Sequence, residues 1–114
     1  QTKLVRVIEG KILDVAVDLR KKSKTFGRHF SIELSSENKK QLLIPKGFAH
    51  GFIVLSESAT ISYKVDDYYH PQHDSGVLWS DESLKINWIL NRKDIKVSVK
   101  DSNLKTFNKI KSPF

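Results

Sequence analysis

The stretch Leu4-Val5-Arg6-Val7-Ile8-Glu9-Gly10-Lys11-Ile12-Leu13-Asp14-Val15-Ala16-Val17-Asp18 decides the fold class. Apolar and polar residues alternate with period two through Ile8, a glycine breaks the run, and a second run rich in β-branched residues follows. Such alternation places successive side chains on opposite faces of a strand and has no helical counterpart. The two runs read as strands joined by a turn at Glu9-Gly10, and the arrangement expected from so short a connection is a hairpin.

The same grammar continues on both sides of the next breaks. Lys21-Lys22-Ser23-Lys24 is a polar loop closed by Phe26-Gly27, and His29 to Leu34 alternates again. Ser35-Ser36-Glu37-Asn38 is a turn-like cluster. Gln41-Leu42-Leu43-Ile44 runs into Pro45-Lys46-Gly47, where proline suits the early and glycine the later position of a tight turn. Phe48 to Leu55 and Thr60 to Val65 complete the clear strands. Short strands at this spacing, with no long amphipathic helix, predict an all-β sandwich or barrel. Asp74 to Trp88 is irregular but carries Trp79 and Trp88, so it is expected to pack. Ile95, Val97 and Val99 alternate like a strand, although residues 93–107 also suit a short helix in an otherwise irregular tail.

At 114 residues the chain has room for one domain, here residues 1–114. With 39% hydrophobic and 29% charged residues it falls in neither the disordered nor the membrane class, and no apolar run is long enough to span a bilayer. Cysteine is absent, so no disulfide or thiolate site exists, which suits a reducing cytoplasm, the expected location. The net charge of +7 invites a nucleic-acid reading. It is spread as +5, −3 and +5 over residues 1–60, 61–90 and 91–114, and the C-terminal lysines share no helical face and interleave with few aromatics. A solvated basic tail accounts for them, and neither nucleic acid nor membrane is expected as a partner.

Several side chains are placed for chemistry. Alternation puts His50 on one face with Phe48 and Phe52, either as a satisfied core group or as a site residue. Tyr63, on the next strand, is a general acid or a core tyrosine. Lys3 shares a face with Val5 and Val7, so it is either an inward cation for a developing oxyanion or an exposed edge lysine. Asp14, on a face with Ile12 and Ala16, is a site carboxylate or the partner of a nearby lysine or arginine. Tyr68 and Tyr69 are flat amphipathic rings at a strand end, and Asp101 is locally unremarkable. The histidine of Pro45-Lys46-Gly47-Phe48-Ala49-His50 resembles the metal ligand of the second cupin motif. The His-rich companion motif is missing, so no metal is expected.

Together these residues resemble the dTDP-4-dehydrorhamnose 3,5-epimerases. The resemblance is carried by Gln1-Thr2-Lys3-Leu4-Val5-Arg6-Val7, Asp14 to Arg20, Thr25-Phe26-Gly27, Leu34 to Asn38, Tyr63-Lys64, Asp67-Tyr68-Tyr69 and Leu78-Trp79-Ser80-Asp81. Its strongest piece is Ile44-Pro45-Lys46-Gly47-Phe48-Ala49-His50-Gly51-Phe52. It implies a cupin-like double-sheet jelly roll, a homodimer, a dTDP-linked 4-keto sugar as substrate, and no metal or organic cofactor. By the same resemblance Lys3 and His50 hold an enolate oxygen, Tyr63 is the acid, Asp101 orients a base histidine, and Asp14 and Tyr69 line the substrate site. The departures are as informative. The R-G-x-H-x-Q motif that carries the family's base is not in these residues, and His29, His70 and His73 lie in other contexts. Thr2 stands where glycine is usual, Leu43 where an aromatic is usual, and Asn87-Trp88-Ile89 where Asp-Trp-Pro is common. The chain is therefore expected to be an N-terminally incomplete domain of such an epimerase. The competing expectation is an incompetent or single-site relative (a 3-epimerase or ketoisomerase) that binds a nucleotide sugar.

Overall fold

The computed structural model describes residues 2–66, 77–90 and 95–107. Six strands dominate: β1 (Lys3–Glu9), β2 (Lys11–Asp18), β3 (His29–Ser35), β4 (Gln41–Ile44), β5 (Phe48–Val54) and β6 (Thr60–Val65). Among the described residues a 3-10 turn (Glu82–Leu84) and a helical turn, α1 (Val99–Ser102), follow. The strands form two antiparallel three-stranded sheets, ordered β4-β1-β6 and β3-β2-β5. This is the double-sheet β architecture that the alternation implies.

The expected hairpin is not formed. β1 pairs with β4 and β6, β2 pairs with β3 and β5, and the two strands lie in different sheets. Gly10 is the corner where the chain crosses over. Its φ of 86° lies in the left-handed region, and a Cβ there would sit 2.2 Å from the Ser58 carbonyl oxygen. Alternation reports which face a residue occupies but not which strand lies beside it, so a corner glycine and a hairpin glycine look alike in sequence. Gly47, at φ 97°, makes the second crossing, from β4 to β5. Residues 95–98 are not a strand, and the helical alternative holds at Val99–Ser102.

Register fixes what each face carries. Val5 pairs with Tyr63 and Lys3 with Val65, so Lys3, Val5, Val7 and Tyr63 share the inner face of the first sheet. In the second sheet Ala16 pairs with His50, Asp14 with Phe52 and Asp18 with Phe48, giving the opposite inner face. Val5, Val7, Ile12, Ala16, Leu34 and Ile44 fill the space between. Burying such aliphatic side chains is worth about 1.5–3 kcal/mol each, the main force closing the two sheets. The outer face of β2 is covered by the C-terminal segment. There Val17, Leu19 and Leu84 are buried against Val77, Ile86 and Phe107.

Candidate active site

The inner faces part along the edges of β5 and β6, and a cleft of about 740 Å³ opens there. Lys3 from β1, His50 and Phe52 from β5, and Tyr63 from β6 line it. Trp79, Trp88 and Asp101 supply the far wall, with the Trp88 indole N–H donating to the Trp79 carbonyl at 2.9 Å. All seven residues of β5 line the cleft, although they alternate in facing. The cleft therefore wraps the strand's outer edge, which pairs with nothing among the described residues.

The polar groups are arranged in layers. Asp14 is fully buried and the His50 side chain is 6% exposed, and His50 Nε2 bonds Asp14 Oδ1. The pair is diagonal across β2 and β5, the neighbour geometry an antiparallel register provides. In front of it the Tyr63 ring meets the His50 ring edge-on, with centroids 6.2 Å apart. Tyr63 holds its proton above the ordinary 10.0, first because of burial and then because of the Asp14 charge. It therefore stays a proton donor through the neutral range. Thr2 steadies Lys3 from the preceding position: its hydroxyl accepts from the Lys46 N–H and its own N–H donates to Asp66 Oδ1.

Beside the cleft, Asp18 anchors the loop between β2 and β3. It accepts from the Arg20 guanidinium at 3.0 and 3.1 Å and from the Thr25 hydroxyl. The Arg20 guanidinium also lies 4.8 Å from the centroid of the Phe48 ring, another cleft residue. These bonds, Arg20 foremost, hold the Asp18 carboxyl well below the usual carboxylate range despite its burial. Sequence reading passed over this cluster, whose signal was the Asp18-Leu19-Arg20 spacing followed by Ser23 and Thr25.

Four of the six sequence candidates (Lys3, His50, Tyr63 and Asp101) thus line one cleft. Asp14 lies behind His50, and its partner is that histidine rather than a lysine or arginine. Tyr69 lies outside the described residues, as do Tyr68, His70 and His73. His29 pairs with Val17 on β3, the strand across β2 from β5. Among the described residues no three His, Asp or Glu side chains are grouped to hold a metal ion, and no helix is long and apolar enough to cross a membrane.

The fold and the cleft define a class: cupin-like double-sheet barrels with a cleft between the two sheets. The family model described as dTDP-4-dehydrorhamnose 3,5-epimerase matches residues 1–109. The dTDP-4-dehydrorhamnose 3,5-epimerase of Methanothermobacter thermautotrophicus is 50% identical over 106 residues, 92% of this chain and 57% of that protein. The crystal structure of the Elizabethkingia anophelis enzyme of the same name superposes with a TM-score of 0.93 at 48% identity, over 95% of this chain and 59% of that one. A dTDP-6-deoxy-D-glucose-3,5-epimerase from Legionella pneumophila, solved with dTDP-4-keto-L-rhamnose, gives 0.92 at 47%, over 96% and 58%. The chain belongs to the dTDP-4-dehydrorhamnose 3,5-epimerase family. It spans less than three fifths of the length of these relatives.

Proposed function

We propose that the protein carrying this chain epimerises a dTDP-linked 4-keto-6-deoxy sugar by removing and returning protons at the carbons beside the ketone. The observation that supports it best is the convergence of Lys3, His50 and Tyr63 on one cleft. A carbon next to a ketone is acidic because its carbanion spreads onto oxygen. The step therefore needs a base, a stabiliser for the enolate oxygen and an acid on the opposite face. Lys3 and His50 stabilise the oxygen, and Tyr63, which keeps its proton, is the acid. Asp14 supports His50 from behind, and we read Tyr69 as a substrate-binding residue, as the resemblance to the family implies.

The base is missing from this set: no His other than His50 lines the cleft among the described residues. In our reading it comes from a part of the protein beyond these 114 residues, seated along the open edge of β5 where Asp101 can orient it. Reaction at the carbons needs neither metal nor organic cofactor, because the substrate's own ketone is the electron sink. The relatives support a nucleotide sugar as the ligand; a homodimer and a cytoplasmic location complete the proposal. The test is deuterium uptake from solvent into the 4-keto sugar, followed by NMR. Exchange at both flanking carbons is expected with the longer protein and almost none with the 114-residue chain. Exchange at a single carbon would point to a 3-epimerase, and strong exchange by the short chain would show that the base lies within it.

A further inference from the structure

The bond between β2 and β5 fixes more than the position of the His50 ring. Imidazole has two distinct nitrogens, and which one carries the proton is set by the partner of the other. A carboxylate only accepts, so with Asp14 in that form Nε2 donates to Oδ1 and carries the proton. Asp14 is wholly buried, so the bond is made away from water. Among the described residues no hydrogen bond to the other nitrogen, Nδ1, is seen, and the ring itself lines the cleft. Among the described residues, Asp14 lies behind the ring and the other charged or titratable side chains of its cleft are Lys3 on β1, Tyr63 on β6, Lys96 and Asp101; of these Asp14 bonds it.

We infer that Asp14 is a positioning residue: it pins His50 in the Nε2–H form and turns Nδ1 to the bound sugar, so that Nδ1 is the atom that meets the ketone oxygen. This rests on the reading of the cleft as a 4-keto sugar site. The pinned ring presents only a lone pair at Nδ1 when neutral, which repels the ketone oxygen, and it donates to that oxygen once Nδ1 has taken a second proton. The role differs from lining the substrate site, because Asp14 acts only through His50. Its second oxygen, Oδ2, is buried with no partner. The isosteric Asp14→Asn therefore fits the same space and keeps an acceptor for Nε2–H.

The experiment is proton–nitrogen correlation NMR of the 114-residue chain with labelled histidine. A proton on His50 Nε2, slow enough in exchange to be seen, is expected in the parent and in Asp14→Asn, and its loss is expected in Asp14→Ala. A proton found on Nδ1 instead, or an Nε2 proton unchanged in Asp14→Ala, overturns the pinning. Should Asp14→Ala fail to fold, the parent and Asp14→Asn spectra still decide it. Addition of a dTDP-4-keto sugar should then move the Nδ1 resonance and leave Nε2 in place, and the reverse pattern overturns the assignment of Nδ1. A sugar that moves neither, with the Nε2 proton present, removes the ketone contact and the reading of the cleft, and leaves the Asp14–His50 pinning standing.

Discussion

Residues in this site are defined by what lies behind them. Tyr63 is 45% exposed, yet its phenol is held protonated by partial burial and the nearby Asp14 charge. The direction sets a prediction. Because the folded group keeps its proton beyond the unfolded one, its share of stability is present below the usual tyrosine range and lost as pH rises through the folded value. Difference absorbance between the parent and Tyr63→Phe should show this phenol ionising on the alkaline side of an ordinary tyrosine; ionisation at or below the ordinary range would contradict it. In the longer protein Tyr63→Phe and His50→Ala should each cut turnover by about a hundredfold or more, as expected for loss of a proton donor or an oxyanion contact. Full activity in either variant removes that residue from the mechanism. Period two grouped Lys3 with Val5 and Val7, and His50 with Phe48 and Phe52, but left open whether Lys3 and Tyr63 were inward site residues; the pairing of Val5 with Tyr63 decides it. The Asp14–His50 bond was not legible in the sequence. It needs Asp14 opposite Phe52 and His50 opposite Ala16, and register between strands 30 residues apart leaves no local mark.

At the scale of elements, the corners and loops decide how the strands meet. Gly10 reads as a hairpin turn and is in fact the crossing between two sheets, with the Ser58 carbonyl pressed against its Cα. Gly10→Ala would combine a left-handed φ with a steric clash, a loss of about 2 kcal/mol or more by denaturant unfolding. A loss near zero would mean that the corner is looser than the structure shows. The loop after β2 depends on charge. Asp18 is buried and its carboxyl is depressed, so its contribution is complete above the usual carboxylate range near 4 and declines as pH falls below it. Asp18→Asn should cost about 2–3 kcal/mol at neutral pH, since charge-assisted bonds to Arg20 are lost and a buried group is left half-satisfied. It should also flatten the acid limb of the stability curve, and an unchanged acid limb would place the sensitive carboxylate elsewhere. The departure at Asn87-Trp88-Ile89 has a conformational reading as well. Ile89 has φ 70°, which proline could not adopt, and the Asn87 side chain accepts its N–H at 2.9 Å to hold the turn.

For the molecule as a whole, the informative feature is the side on which the two sheets fail to meet. Between β4 and β3 the inward residues Ile44 and Leu34 are sealed, although the inward Phe30 at the start of β3 is 54% exposed; along β5 and β6 Phe52, Tyr63 and Val65 are 40–49% exposed although they too point between the sheets. An inward apolar residue with that much exposure loses most of the burial energy that justifies its place there. The charge of +7 offers no competing account of this side, since Tyr63 lies in the net-acidic residues 61–90. An extended segment of the longer protein laid along β5 would cover these side chains, satisfy the edge amides and carry a base into the cleft together, which is why the missing base and the open edge are best explained jointly. Amide hydrogen exchange tests the pairing directly. In the 114-residue chain the β5 amides that point away from β2 should exchange quickly while those bonded to β2 are protected, and in the longer protein both sets should be protected. If the outward amides are already slow in the short chain, β5 is no open edge and the base must be sought elsewhere. If they stay fast in the longer protein while both carbons still exchange deuterium, the base reaches the cleft from a direction other than this strand.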